Sequence, residues 1–296
     1  MASFKEWFAT TRYWSFSVSA LPVAVVIAYL YATCDNMALH WLDAMLAIVA
    51  VVLFHAAGNL LSDVGDYLSG ADSREAYAVP NLVEHRFKVR QYLRLSGTLF
   101  AIGIALGLFL AARNGWPLLA VGTGGFLLTL LYTWSKNVFL SDLLVFSIFG
   151  VLILLGASVA ATGSLIPDVM LLSLPIGLIT LSVLHINNTV DIASDGKAGL
   201  HTIAMALGER HSVRLYMCYQ LLPYLYLAVC AALSLLPWTV MLVLPTLPVA
   251  WSNVRQAARH ADEGRAALLG LDQRSAKLQL LFSVALIVGF ILFGVL

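Results

Sequence analysis

Nine stretches of the chain are almost wholly apolar, at 14–33, 39–61, 95–112, 116–134, 143–161, 169–190, 215–235, 237–254 and 278–296. Each has about the length an α-helix needs to cross ~30 Å of hydrocarbon. The pattern predicts an all-α, polytopic membrane protein, with nine helices in one domain spanning 1–296. Pro237, Pro245 and Pro248 interrupt the eighth stretch, but membrane helices tolerate proline where other groups satisfy the freed carbonyls. The first stretch is too long for a signal peptide and lacks a small-residue cleavage pattern, so it is read as a retained helix.

Composition agrees with this reading. Hydrophobic residues make up 60% of the chain and charged residues 11%, and the mean hydropathy is +0.87, well outside the soluble range. Cys34, Cys218 and Cys230 have neither disulfide nor metal-ligand spacing. A net charge of +1 gives no basis for a nucleic-acid partner, because in a membrane protein the placement of charge matters more than its sum. With the N-terminus inside, 16 of the 17 Lys and Arg residues fall on the cytoplasmic face and only Arg113 falls outside. Removing the eighth helix would move Arg255, Arg259, Arg265, Arg274 and Lys277 to the wrong side, so the charge pattern supports nine. The expected location is a lipid bilayer of the bacterial inner-membrane kind, with the N-terminus and the polar helix ends in the cytoplasm. Oligomeric state is not legible.

Two segments break the apolar pattern with acids. GNLLSDVGDYLSGAD at 58–72 ends the second stretch, and HINNTVDIASDGKAG at 185–199 ends the sixth. Four crossings separate them, so both lie on one face. Asn59 and Asp63 are four apart, as are Asn187, Asp191 and Asp195, and that interval keeps side chains on one helix face. The repeated Asn-x-x-x-Asp spacing is consistent with two diverged halves, with acidic motifs near 59–72 and 187–202. A lone aspartate beyond a membrane helix needs only water, but matched clusters on one face repel and resist desolvation. A divalent cation resolves both problems. Carboxylate and amide oxygens suit Mg²⁺, which keeps positions open for phosphate oxygens. This points to a Mg²⁺-bridged diphosphate, held by Asn59, Asp63, Asp66, Asn187, Asp191 and Asp195. There is no His/Cys set for zinc and no GxxxxGK[ST] loop.

SDVGDYLSGAD resembles the first motif of the UbiA superfamily of intramembrane prenyltransferases, and its Gly70-x-Asp72 end resembles the variant in 1,4-dihydroxy-2-naphthoate polyprenyltransferases. NNTVDIASDGKAGLHT is similar to the second motif through Asn187, Asn188, Asp191, Asp195, Gly199 and Thr202, and TRYWSFSVSALPV resembles the opening helix through Arg12 and Pro22. The resemblance covers essentially the whole chain. It implies a nine-helix bundle around a central cavity and Mg²⁺-dependent transfer of a polyprenyl group from prenyl diphosphate to an aromatic quinone precursor, as in menaquinone biosynthesis. It carries the catalytic role to Asp63, Asp66, Asp191 and Asp195, and substrate contacts to Arg12, Asp72, Lys136, Asn188, Lys197 and His201, with Arg74 a further candidate. Ser62, Val190 and Leu200 stand where the family has Asn, Arg and Lys, which thins the basic residues around a diphosphate. His55 and His185 are candidates for removing a proton from the acceptor. A terpene cyclase on the same scaffold, a prenyltransferase with another aromatic acceptor such as a hydroxybenzoate, and a secondary transporter are the alternatives. Transporters hold substrate near the bilayer midplane, whereas both acidic motifs here lie at helix ends.

Overall fold

The computed structural model describes residues 3–34, 38–70, 81–135 and 139–296; Asp72, Arg74 and Lys136 lie outside them. Among the described residues the ordered elements are helices throughout. A short α1 (Phe4–Thr10) leads into α2 (Tyr13–Thr33), α3 (Trp41–Ser69), α4 (Val89–Asn114) and α5 (Trp116–Ser135). Then come α6 (Ser141–Thr162), α7 (Pro167–Val190), the short α8 (Ile192–Lys197) and α9 (Ile203–Leu207), and α10 (Glu209–Ala232). A 3₁₀ run over Trp238–Thr246 continues into α11 (Leu247–Ala258), and α12 (Leu271–Val295) ends the chain.

Every predicted apolar stretch is helical, and among the described residues seven helices are long and apolar enough to cross a bilayer: α2, α3, α4, α6, α7, α10 and α12. A further apolar helix, α5, runs over Trp116–Ser135. The proline-rich stretch is split between 3₁₀ and α geometry, because Pro245 and Pro248 lack the N–H groups that a continuous α ladder needs. The larger difference concerns α3. It runs on to Ser69, where Gly70 closes it at φ 79°, a left-handed conformation that costs glycine little. Asp63 and Asp66 therefore belong to the helix itself.

Burial sorts the bundle into centre and rim. In α7, 72% of the apolar window is buried against 22% in α4, so α7 is the axis and α4 turns Ile102, Leu108 and Phe109 outward toward lipid. Lipid tails are as apolar as leucine, so close packing and interhelical hydrogen bonds must hold such helices together. A Cβ on Gly150 of α6 would stand 3.1 Å from Gly177 Cα of α7. The crossing falls within Phe146–Leu152, a π-helical insert in α6, and such inserts often mark functional regions. At the end of the bundle away from the acidic motifs, Arg113 Nε donates to Asp43 Oδ1 at 2.8 Å, and Asn114 Nδ2 donates to Asp43 Oδ2 at 2.9 Å. Arg113, the one exception in the charge pattern, thus neutralises a carboxylate that is fully buried.

A Cβ on Gly289 would meet the Thr239 carbonyl oxygen at 2.5 Å. Gly289→Ala should push the 3₁₀ run off α12 and cost about 1–3 kcal/mol. Gly97→Ala on α4, with no atom within 4 Å, should be neutral or stabilise by up to about 1 kcal/mol. Thermal unfolding of the two variants in detergent measures the contrast.

Candidate functional site

A cavity of about 430 Å³ opens between α2, α3, α4, α5, α6 and α7. Its body is apolar, formed by residues such as Val23, Ala47, Leu110, Leu118 and Ile153, while Arg12, Asn59, Tyr132 and Asn187 supply its polar wall. The two Asn-x-x-x-Asp patterns, 128 residues apart in the chain, therefore meet in one space through their asparagines. Beyond the lining lie Asp63 and Asp66 on the last turns of α3, Asp191 at the end of α7 and Asp195 in α8.

The first acidic end is clamped by the junction of α1 and α2. Arg12 has φ 56°, uncommon for a residue with a side chain, and caps the 3₁₀ turn Tyr13–Ser15. Such strain persists only where surrounding contacts impose it. Here Arg12 Nη2 donates to Asp63 Oδ1 at 2.5 Å, and Asn59 Nδ2 donates to the Thr11 carbonyl at 3.0 Å. The negative charge of Asp63, and more weakly that of Asp66, pushes the Arg12 pKa above its usual value, so this guanidinium is a fixed positive charge. Asp66 lies one turn beyond Asp63 and is half-buried. The outer side of this end is packed by Leu82, Phe87 and Tyr92 against Leu60 and Val64, with Trp7 of α1 stacked edge-on to Phe87 at 4.4 Å.

The second acidic end uses another loop. Asp191 terminates α7, and Arg265, in the 3₁₀ turn between α11 and α12, brings Nη2 to 3.5 Å from Asp191 Oδ1. Val190 packs in the apolar cluster with Leu268 of that same turn. A cation thus reaches the second motif through space where the chain lacks an arginine beside it. Asp195 is buried in α8, and Lys197 at the end of α8 is exposed. Gly199 takes φ 71°, and Thr202 caps α9 by accepting from the Met205 N–H at 3.3 Å, which gives the Gly-x-x-Thr spacing a local cause. His201 is exposed, and its carbonyl accepts from the Phe139 N–H at 3.2 Å.

Three predicted residues take different places. Asn188 is turned away from the cavity and buried, its Nδ2 at 3.4 Å from Asp142 Oδ1. One residue along a helix turns the side chain by about 100°, so Asn187 and Asn188 cannot share a face. His185 is buried on that same inner side, with Nδ1 donating to Asp142 Oδ2 at 2.7 Å, and it stands outside the cavity lining. His55 does line the cavity, its ring set by the Ser19 hydroxyl at 3.1 Å and the Ser15 hydroxyl at 3.4 Å. Sequence reading missed Arg265 and Asp142. The first carries no local motif. The second had a usable signal, since an acid at the start of an apolar helix requires a partner.

These groups fit a divalent cation in one particular way. Among the described residues no cluster of three His, Cys, Asp or Glu side chains could hold an ion alone. Each end instead offers carboxylate and amide oxygens beside an arginine, a hard donor set that a Mg²⁺ completed by phosphate oxygens would suit.

Comparison with known proteins bears on this arrangement. The sequence model of the UbiA prenyltransferase family matches residues 19–273. The UbiA prenyltransferase domain-containing protein 1 of Xenopus tropicalis is 32% identical over 302 residues, covering 98% of this chain and 84% of the relative. The human protein of that name is 32% identical over 292 residues, covering 95% and 82%. Among solved structures, the apo UbiA homolog of Aeropyrum pernix K1 has a TM-score of 0.69 at 22% identity, covering 93% of this chain and 97% of that one. A UbiA homolog of Archaeoglobus fulgidus, bound to GPP and Mg²⁺, has a TM-score of 0.62 at 14% identity, covering 94% and 98%.

Proposed function

The chain belongs to the UbiA prenyltransferase family, and we propose that it transfers a polyprenyl group from prenyl diphosphate to an electron-rich aromatic acceptor of the 1,4-dihydroxy-2-naphthoate type. One observation carries this reading: two acidic helix ends, each beside an arginine, flank the polar wall of a single apolar cavity. The GPP and Mg²⁺ bound in the Archaeoglobus relative support the donor and the metal. The Gly70-x-Asp72 pattern supports the naphthoate-type acceptor and hence a place in menaquinone biosynthesis. The distribution of Lys and Arg supports a cytoplasmic face for the site. The animal origin of the relatives described above gives a bacterial inner membrane no support.

In this reading Asn59, Asp63 and Asp66 from α3, with Asn187, Asp191 and Asp195 from the second end, would hold Mg²⁺. The metal supplies Lewis-acid stabilisation of the charge that builds on the departing diphosphate. Arg12 and Arg265 supply permanent positive charge on either side of that group, and Lys136, Lys197, His201 and Asp72 are retained as substrate contacts. The allylic C–O bond breaks toward the diphosphate, and the acceptor carbon attacks the allylic carbon. The apolar cavity holds the prenyl chain and excludes water, which would otherwise capture the cation. His55, fixed by Ser15 and Ser19, is the imidazole in the lining that can take the proton the acceptor releases.

Purified protein incubated with Mg²⁺, geranylgeranyl diphosphate and 1,4-dihydroxy-2-naphthoate should yield prenylated aromatic product by chromatography. Asp63→Asn and Asp191→Asn should each lower kcat/KM by about 10²-fold or more. Hydrocarbon formed without acceptor would identify a cyclase, and absence of diphosphate release with any donor would contradict enzymatic ionisation altogether. Gly125 lines the cavity and faces open space. Gly125→Leu should therefore reduce kcat/KM for geranylgeranyl diphosphate by roughly tenfold or more relative to dimethylallyl diphosphate, and an equal loss for both donors would show that the prenyl chain lies elsewhere.

A further inference from the structure

A second polar assembly lies on the side of α7 turned away from the cavity. His185 Nδ1 donates to Asp142 Oδ2 at 2.7 Å, and its Nε2 faces the Ser212 carbonyl at 3.1 Å and hydroxyl at 2.9 Å. The Ser212 and Thr189 hydroxyls are 2.6 Å apart, and Thr189 Oγ1 also donates to the His185 carbonyl at 2.7 Å. Asn188 Nδ2 approaches Asp142 Oδ1 at 3.4 Å. All five residues are buried, and Tyr219 closes the group with its ring edge-on to His185 at 5.4 Å. The assembly joins the first turn of α6, the last turns of α7 and the first turn of α10, and the reaction outlined above uses none of its members.

Stability alone does not account for it. A buried carboxylate–imidazole pair is often no more stabilising than apolar residues of the same volume, because desolvation opposes the attraction. Apolar contacts, however, are non-directional, and a helix held only by them can turn about its axis at little cost. Hydrogen bonds restrict distance and angle. Positions 185, 188 and 189 form one stripe of α7, while Thr180, Val183, Leu184 and Asn187 form another that lines the cavity, and Asp191 follows Asn187 by one turn. The rotation that seats His185 on Asp142 therefore also sets the direction of Asn187 and Asp191.

We propose that Asp142, His185 and Ser212 are positioning residues that fix the rotation and depth of α7, and through it aim Asn187 and Asp191 at the metal and the donor diphosphate. The inference rests on the reading of those two residues as ligands. Groups that orient ligands without touching the metal typically change metal affinity by about 10–100-fold when removed.

The test measures binding without turnover. A non-ionising thio analogue of geranylgeranyl diphosphate is titrated onto the full-length protein in detergent at a series of Mg²⁺ concentrations. The double variant Asp142→Leu/His185→Phe removes both buried polar partners, so neither is left unmatched. It should stay folded, raise half-saturating Mg²⁺ by about tenfold or more, and lower kcat while leaving the acceptor KM unchanged. His185→Gln, which keeps a donor for Asp142, should recover much of the Mg²⁺ affinity, whereas Ser212→Ala, which removes the hydroxyl facing His185 Nε2, should raise half-saturating Mg²⁺ severalfold and serves as the comparison if the double variant does not fold. Wild-type Mg²⁺ dependence in a folded double variant, or in Ser212→Ala where only that variant can be compared, would overturn the inference. Mg²⁺-independent analogue binding by the wild type would overturn the ligand reading beneath it, a failure visible before any variant is made.

Discussion

A carboxylate at the end of a membrane helix must find a cation, an imidazole or strong donors, because hydrocarbon offers none of these and leaving such a charge near the bilayer centre costs about 2.5–3.5 kcal/mol on the insertion scale. This constraint organises the molecule. Asp43 meets Arg113, Asp63 meets Arg12, Asp142 meets His185 and Asp191 meets Arg265. Each partner comes from a distant segment, so satisfying each charge also fixes how two parts of the chain pack. Greasy surfaces in lipid lack a strong preference for one another. The paired charges supply the missing specificity.

The four pairs do not serve the same end. Those of Asp43 and Asp142 are buried on the carboxylate side and complete in themselves. Those of Asp63 and Asp191 lie beside the cavity, with carboxylates that are 15% and 40% exposed against 1% and 4% for Asp43 and Asp142. These two pairs retain access to solvent and to an incoming ligand, which is the difference between a structural tie and a site poised to exchange partners. The apolar cavity beside them gives that exchange a direction: charge at the wall, hydrocarbon within.

Much of this was legible in the sequence because helix periodicity is local. The nine apolar stretches all became helices, and the four-residue spacing of Asn59 with Asp63 and of Asn187 with Asp191 marked the two faces that now approach one cavity. Several features depended on contacts between distant segments and left no local trace. Arg265 reaches Asp191 only because Leu268 of the same turn packs with Val190. Asn188 resembles a substrate contact in the family motif, yet the turn of the helix gives it to Asp142. The four-residue spacing already carried the helix past the apolar stretch to Asp63, but its end at Ser69 was not marked by hydropathy, because polar residues interrupt that last part. The division of the proline-rich stretch into 3₁₀ and α segments likewise left no local trace, and among the described residues seven helices are of crossing length where the hydropathy pattern suggested nine.

The most direct measurement is an experimental structure of the protein with Mg²⁺ and a non-ionising prenyl diphosphate analogue. The account predicts diphosphate density between the ends of α3 and α7, within coordination reach of Asp63 and Asp191 through Mg²⁺, with the hydrocarbon running past Val23 and Leu118 into the cavity. A diphosphate bound anywhere else, or an α3 and α7 whose acidic ends face opposite sides of the membrane, would contradict it.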